Sequence, residues 1–300
     1  MLPISAQEIL IFGSGEAVTT VDLDVNAARL AHMRWEMALE ALLAGQGTHE
    51  PLQGHEDCAL GTWIYGTGLK RYGRHSSVWQ LKTSHKKFHH VAEETMAAVA
   101  SGKLDRAAKT FKTVRRLSGE VLYLLTALEL DAIEAALATV REKNVPFRFL
   151  RLLLPKPQSL ELTSIHSLSD LDGGHHALNV TGARLAHLKW IRDLQLAFRG
   201  RGRALHAQPS DECGLGVWIH GTAMKVLGVN EELTGLDAAH KRFHREVDVV
   251  LSSLHHGSLR RADEAYEDAL VLSGEIVTHL TRLQLTFIDS RVLSAQSSTL

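Results

Sequence analysis

One cysteine and three histidines occur twice in this chain, in the same order and at the same spacing. The two sets are His32, Cys58, His85 and His89, and then His187, Cys213, His240 and His244. Matched residues are 155 positions apart throughout, and the two cysteines are the only ones among 300 residues. A thiolate and three imidazoles are ligands that Zn²⁺ prefers in a closed tetrahedral site. The spacing therefore predicts one zinc site in each repeat, with these eight residues as ligands.

Each of these residues alone is weak evidence for a metal. A single histidine on an amphipathic helix is more often a hydrogen-bonded core residue, and a lone buried cysteine usually behaves as a small hydrophobe. The set is stronger evidence, because its spacing persists while neighbouring positions change, from Ala59 to Gly214 and from Tyr65 to His220. Cysteine also argues against Mg²⁺ or Ca²⁺, which prefer oxygen ligands.

Residues near the predicted ligands could support them. A carboxylate in this place could accept a hydrogen bond from the second ring nitrogen of a ligand histidine. The candidates are Asp57 and Glu212, which precede the cysteines, and Glu93 and Asp248, one helical turn beyond the last histidines. A solvated carboxylate on an exposed helix face is an equal alternative for each. We expect four tryptophans to surround the sites with apolar surface: Trp35, Trp63, Trp190 and Trp218.

The composition fits two globular domains of ordinary size, since 45% of the 300 residues are hydrophobic. A formal net charge of −1 provides no field that would attract nucleic acid or an anionic membrane.

Two cysteines at equivalent positions do not resemble a disulfide framework, which indicates a reducing compartment. The N-terminal residues lack the basic segment of a signal peptide, and no apolar run approaches the roughly 20 residues of a transmembrane helix. We therefore expect a cytoplasmic protein.

Hydrophobic periodicity predicts an all-α protein made of two tandem four-helix bundles. The predicted helices span about residues 24–45, 58–73, 78–100 and 105–142, and then about 179–200, 213–226, 231–256 and 259–290. His85 and His89 are four residues apart, so both rings can reach one metal ion. Each fourth helix carries the same Leu-Ser-Gly-Glu segment, at residues 117–120 and 272–275.

Two segments depart from this helical pattern. Residues 9–12 form a short apolar run bounded by glycines, which predicts a short strand or an irregular lead-in. Residues 144–174 contain three prolines and an alternating polar and apolar stretch at 147–152, which predicts a linker with short strands. The predicted organisation is a first bundle with its lead-in over residues 1–143, a linker over 144–174 and a second bundle over 175–300.

The motifs of each repeat resemble the chemoreceptor zinc-binding domain of bacteria. They are His-x-x-Trp, Cys-x-Leu-Gly-x-Trp and His-x-x-x-His, in this order, and the resemblance covers almost the whole of each repeat. It implies a four-helix bundle that binds one Zn²⁺ through three histidines and one cysteine. The implied ligands are His32, Cys58, His85 and His89 for one ion, and His187, Cys213, His240 and His244 for a second.

Members of this family adjoin and regulate a chemoreceptor signalling region or a diguanylate cyclase domain, typically as homodimers. They respond to zinc or to oxidants such as hypochlorous acid. The resemblance therefore implies a sensor that signals through a protein partner such as a chemoreceptor or a diguanylate cyclase. This sequence differs from the family pattern, because it has two zinc-binding units and no recognisable output domain. We therefore expect the repeats to form a pseudo-twofold pair within one chain, a homodimer being the other option.

Other functions are compatible with parts of this pattern. A structural zinc scaffold or a zinc store would use the same ligands. A zinc hydrolase would need an open coordination position and a base, as in a His-Glu-x-x-His helix. Here Lys86 occupies the position of that glutamate, and a fourth protein ligand closes the site. A di-iron site similar to that of hemerythrin would need more histidines, bridging carboxylates and no cysteine. We therefore expect a regulatory protein and not an enzyme.

Overall fold

The structure, a computed structural model, describes residues 23–46, 53–142, 180–200 and 205–297, with side chains described as far as residues 135 and 286 in the two longest helices. These residues form helices and contain no β-strand, which confirms the all-α class. The strands predicted at 9–12 and 147–152 lie outside the described residues. The chain divides into two compact units, Met1–Lys156 and Pro157–Leu300.

The two units contain matching helices. In the first unit these are α1 Val25–Leu43, α2 Ala59–Trp63, α3 Leu69–Tyr72, α4 Ser76–Ala100 and α5 Leu104–Glu142. In the second they are α6 Val180–Phe198, α7 Gly214–Trp218, α8 Met224–Val226, α9 Glu231–His255 and α10 Leu259–Ser297. The bounds agree with the predicted ones within a few residues, except that the last helix continues to Ser297 instead of ending near residue 290.

The short second helix of each bundle differs from its prediction. We predicted one continuous helix over 58–73, but a π-helical turn, Ile64–Gly68, separates α2 from α3. The second unit has the same turn at Ile219–Ala223, between α7 and α8. Glycine has low helix propensity, and Gly66 and its match Gly221 lie inside these turns. π-helical turns are frequent at functional sites, and these two directly follow the helices that the cysteines begin.

Local signals explain where the longer helices begin and end. Asp24 caps α1, since its carboxylate accepts a 2.8 Å hydrogen bond from the Ala27 amide. Asn230 caps α9 in the same way, through a 2.9 Å bond from the Leu233 amide. Gly102 follows α4 with a φ of 70°, a left-handed conformation that glycine adopts without strain.

In the first unit, a polar layer separates two apolar clusters. One cluster contains Leu81 of α4 and Val121 of α5. The other contains Phe88 of α4 and Leu117 of α5. His85 lies between Leu81 and Phe88 along α4 and is fully buried. The predicted metal ligands therefore occupy the middle of the bundle core. In the second unit the corresponding apolar residues form one cluster.

Candidate metal centre

The four predicted ligands of the second unit converge. One ligand atom from each of four residues lies within 4.8 Å of the others: His187, Cys213, His240 and His244. Sγ of Cys213 is 3.0 Å from Nε2 of His240, which is 3.1 Å from Nε2 of His244. In tetrahedral zinc sites, bond lengths of about 2.0 to 2.3 Å separate ligand atoms by roughly 3.3 to 3.5 Å. Outward shifts of a few tenths of an ångström would therefore accommodate Zn²⁺.

Three parts of the bundle hold these ligands. His187 comes from α6, and His240 and His244 lie one turn apart on the same face of α9. Cys213 is the residue before α7, and its sulfur caps that helix by accepting a 3.5 Å hydrogen bond from the Gly216 amide. The amide dipoles at a helix N-terminus favour negative charge, so this position favours a thiolate ligand.

In the first unit, three of the four predicted ligands converge in the same way. Ligand atoms of Cys58, His85 and His89 lie within 4.8 Å of one another. Sγ of Cys58 is 3.2 Å from Nε2 of His85, and the two Nε2 atoms of His85 and His89 are also 3.2 Å apart. The structure therefore brings seven of the eight predicted ligand atoms together, in two groups.

The eighth predicted ligand, His32, lies at the site with its ring turned. Its ring centroid is 5.2 Å from that of His85, the same distance as between His187 and His240, and the interplanar angles are similar at 63° and 68°. Nδ1–H of His187 donates to the Ala183 carbonyl over 2.8 Å, whereas Nδ1 of His32 has no hydrogen-bond partner among the described residues. A half turn about the Cβ–Cγ bond keeps the ring plane, exchanges the positions of Nδ1 and Cδ2, and exchanges those of Nε2 and Cε1. This rotation would make the two sites equivalent.

Burial keeps the histidines in the form that binds metal. All six are buried, with relative exposures from 0% to 7%. Burial, with a smaller contribution from neighbouring histidines, lowers the pKa of His32 to about 3, that of His187 to about 4 and that of His240 to about 3. At neutral pH these rings are therefore uncharged, and each has a nitrogen lone pair for a metal ion.

The cysteines respond to burial in the opposite direction. Burial raises the pKa of the Cys58 and Cys213 thiols, although backbone amides at the helix starts partly oppose this shift. Each thiol therefore keeps its proton unless a cation is present, and a bound divalent metal ion displaces that proton. Half-buried thiols beside neutral imidazoles form a donor set suited to zinc.

Backbone carbonyls, and not the predicted carboxylates, face the second nitrogens of ligand histidines. Nδ1–H of His244 donates to the carbonyl of Gln208 over 2.6 Å. The matched carbonyl of Gln53 raises the pKa of His89, although its geometry falls short of a hydrogen bond and burial keeps that pKa low, at about 4. The four predicted acidic residues are all exposed, and no described contact joins them to a ligand histidine: Asp57, Glu93, Glu212 and Asp248. The structure thus favours the solvated alternative for these four.

The predicted tryptophans do belong to the apolar surroundings. Trp63 and Trp218 are buried in the core clusters, with relative exposures of 7% and 5%. Trp190 is partly buried and packs against the cluster that contains Trp218, whereas Trp35 packs against the other apolar cluster of the first unit, the one with Phe88.

Sequence reasoning missed the loop that leads to each cysteine. Gln53 and Gln208 are matched residues, so their repetition was a signal that could have identified them. A Cβ atom added to Gly61 would overlap the carbonyl oxygen of His55, and one added to Gly216 would overlap that of Ser210. A glycine is therefore needed where this loop crosses the helix that follows the cysteine.

We expect Gly216→Ala to weaken metal binding at the second site. The added methyl group would push away the loop that carries both Ser210 and Gln208. The affinity of that site for zinc should fall about tenfold or more, as when a ligand's supporting contact is lost. Overpacking should also lower the free energy of unfolding by about 1 to 3 kcal/mol. Competition with a zinc chelator and urea denaturation measure the two effects.

Gly214→Ala is the matched control. Its added Cβ would meet no described atom within 4 Å, and the first repeat has Ala59 at this position. Equal zinc affinities of the two variants would contradict the role assigned to Gly216.

Comparison with known protein families gives a match in each repeat. The family model of the chemoreceptor zinc-binding domain matches residues 32–96 and 187–251. Each match begins at the first predicted histidine ligand and includes the other three predicted ligands of its repeat. No curated protein and no solved structure matches the chain.

Proposed function

Because the chain carries two copies of the chemoreceptor zinc-binding domain in tandem, we propose that it is a regulatory protein whose signal is read at two zinc sites. Each site holds one Zn²⁺. The ligands are His32, Cys58, His85 and His89 in one repeat, and His187, Cys213, His240 and His244 in the other. The observation that carries this proposal is the convergence of one sulfur and three imidazoles in the second unit.

A bound Zn²⁺ acts here as a cross-link between helices. In the second unit it would join α6, α9 and the start of α7, because these elements supply the four ligands. Four protein ligands complete a tetrahedral site and leave no position for a substrate or an activated water. This supports a regulatory role over a catalytic one.

Zinc availability is one signal that such a site can report. The buried histidines are neutral at physiological pH and ready to bind, so zinc would shift the equilibrium between metal-free and metal-bound bundles. The two states would differ in the position of the segment that contains Cys213, which is held at the site through its sulfur. A protein partner such as a chemoreceptor or a diguanylate cyclase would recognise this difference.

An oxidant such as hypochlorous acid is the other signal. Cys58 and Cys213 are only half-buried, so a small oxidant can reach their sulfur atoms. The thiolate attacks the chlorine of hypochlorous acid, an S–Cl bond forms, the O–Cl bond breaks and hydroxide leaves. Water then replaces chloride at the sulfur, and the products are a sulfenic acid and chloride. The oxidised sulfur is a weaker ligand. If the oxidised sulfur of Cys213 leaves the site, α7 would also lose the hydrogen bond by which this sulfur caps its N-terminus.

We also propose a cytoplasmic location, since thiol ligands persist in a reducing compartment. Among the described residues, no helix combines the length and apolar character that crossing a membrane requires.

Limited oxidation tests the proposal. Zinc-loaded protein is treated with increasing hypochlorous acid, and free thiols and released zinc are measured in parallel. For an oxidant sensor, we expect zinc release in proportion to the loss of thiols. The Cys58→Ser and Cys213→Ser variants should each remove the oxidant-dependent release from one site. Zinc retained after the thiols are lost would reject oxidant sensing. If removal of zinc also leaves the helical content and the proteolysis pattern unchanged, a zinc store becomes the better description. A structural scaffold should instead lose stability without zinc and show no response to the oxidant.

A further inference from the structure

Two kinds of buried polar atom lack a hydrogen-bond partner at matched positions of the two units. Nδ1 of His85 and Nδ1 of His240 are buried and form no hydrogen bond with any described residue. The same is true of Oγ of Ser118 and Oγ of Ser273, on side chains that are completely buried. Buried polar atoms in native proteins are nearly always hydrogen-bonded. Missing hydrogen-bond partners at matched positions of two repeats therefore require a physical explanation.

The two serines differ from the other buried hydroxyl groups on these helices. Thr126 donates to the Leu122 carbonyl over 2.8 Å, and Thr281 donates to the Val277 carbonyl over 2.7 Å. A hydroxyl on a helix can ordinarily bond to the carbonyl four residues earlier in this way. The hydroxyls of Ser118 and Ser273 do not, so their rotamers direct Oγ away from the backbone of their own helix.

Helix pairing places each serine at the level of the middle histidine of its site, His85 or His240. Ser84 of α4 donates to Glu120 of α5 over 2.7 Å, and Thr95 contacts Thr110 over 2.8 Å, so the two helices run antiparallel. Ser118 therefore lies beside residues 86–87 of α4, within one turn of His85. It also lies between Leu117 and Val121, which belong to different apolar clusters, and so shares the polar layer of the ligands.

In the second unit, one described side-chain contact places Ser273 at a similar level, within about one helical turn of the matched position. His279 of α10 contacts Glu232 of α9 over 2.8 Å, which sets the pairing of these two helices. Ser273 lies six residues before His279, so it is beside the residues around position 238, within one turn of His240.

Only one ligand ring of the second unit lacks support for its second nitrogen among the described contacts. His187 donates to the Ala183 carbonyl, and His244 donates to the Gln208 carbonyl. His240 is the ring in the middle of the cluster, in contact with both Cys213 and His244. Its Nε2 can serve as a ligand only if the proton resides on Nδ1, which then needs an acceptor.

We propose that Ser118 and Ser273 are positioning residues of the two metal sites. Each serine hydroxyl holds one buried water molecule that accepts the Nδ1–H of the middle histidine, His85 or His240. A bridging water suits a buried polar gap between atoms that do not touch directly. This chain of hydrogen bonds, from histidine Nδ1–H through the water to the serine hydroxyl, keeps the proton on Nδ1 and directs the lone pair of Nε2 at the metal. This inference rests on the proposed function, because it assigns the serines to those same zinc sites.

The test compares Ser118→Ala and Ser273→Ala in the full chain. Each variant should lower the zinc affinity of its own repeat about tenfold, as loss of a ligand's supporting hydrogen bond typically does. Competition with a zinc chelator measures this change. With ¹¹³Cd²⁺ in place of zinc, the full chain should give one resonance for each site, and each variant should shift only the resonance of its own site. Urea denaturation of the metal-free variants should show a smaller loss of stability than Ser84→Ala, because among the described residues the two serine hydroxyls have no direct protein partner.

Ser84→Ala is the matched control, since Ser84 is a buried serine whose hydroxyl bonds to Glu120 and not to a ligand. It should lower stability and leave zinc affinity unchanged. Unchanged affinity and an unchanged cadmium resonance in Ser118→Ala would overturn the inference, as would equal weakening of both sites. If the unmodified protein itself binds no zinc, the proposed function fails. If the protein binds two zinc ions and the serine variants bind them equally well, only this inference fails.

Discussion

Removal of zinc is expected to lower the thermal unfolding midpoint of this protein by about 10 °C or more. A ligand that binds only the folded state adds about 4 kcal/mol of stability when its free concentration is about 1,000 times its dissociation constant. For a domain of this size, 1 kcal/mol corresponds to roughly 2 to 4 °C. Each site joins separate helices of its bundle, so loss of the metal ion should destabilise the whole bundle. Differential scanning calorimetry before and after chelation measures the shift.

The control for this prediction is a variant in which both cysteines are replaced, Cys58→Ser with Cys213→Ser. Its midpoint should already be lower, and chelation should change it much less. A shift of less than about 2 °C in the unmodified protein, well below the range above, would show that the metal ion does not contribute to the stability of the bundles.

The second large effect is expected from Glu129→Ala. Arg29 is completely buried, and its guanidinium lies 2.8 Å from the carboxylate of Glu129, while two of its nitrogens have no partner among the described residues. Removal of one member of a buried ion pair leaves the other charge uncompensated and typically costs about 3 to 5 kcal/mol. The Glu129 side chain is 21% exposed, so we expect a loss of about 2 to 3 kcal/mol. Urea denaturation of the zinc-loaded protein measures this loss.

A double variant isolates the charge effect. Arg29→Met with Glu129→Ala removes both charges, and it should recover most of the stability lost in Glu129→Ala. No recovery would mean that the loss arises from packing around residue 129. The second repeat pairs its matched arginine, Arg184, with the neutral Gln284 over 2.6 Å, so an amide can serve as the partner there.

Much of this architecture could be predicted because it depends on local signals. Helices such as α4 follow the period of the apolar residues, and glycines in the left-handed conformation end them, as Gly102 does. The common face of His85 and His89 follows from helix geometry alone. The ligand set could be identified from the sequence, because a strict repeat distinguishes residues that are the same in both copies from residues that differ.

Features that depend on the path of a loop or the rotation of a ring could not be predicted. The carbonyl of Gln208 reaches His244 only because the preceding loop crosses α7 at Gly216, a contact between segments distant in sequence. The candidates for that role were carboxylates, with a solvated carboxylate as an equal alternative, because periodicity locates side chains and says nothing about backbone carbonyls in loops. The different hydrogen bonding of the His32 and His187 rings depends on one torsion angle, which the shared Ala-Arg-Leu-Ala-His segments do not distinguish.

The metal content of the protein purified without added zinc is the most direct test of the central claim. Mass spectrometry of the metal, combined with quantification of the chain, should give close to two zinc ions per chain. The double replacements His85→Ala with His89→Ala, and His240→Ala with His244→Ala, should each reduce this value to about one, because each removes half of one four-ligand set. Fewer than one zinc ion per chain in the unmodified protein, or iron in place of zinc, would contradict the assignment of these eight residues.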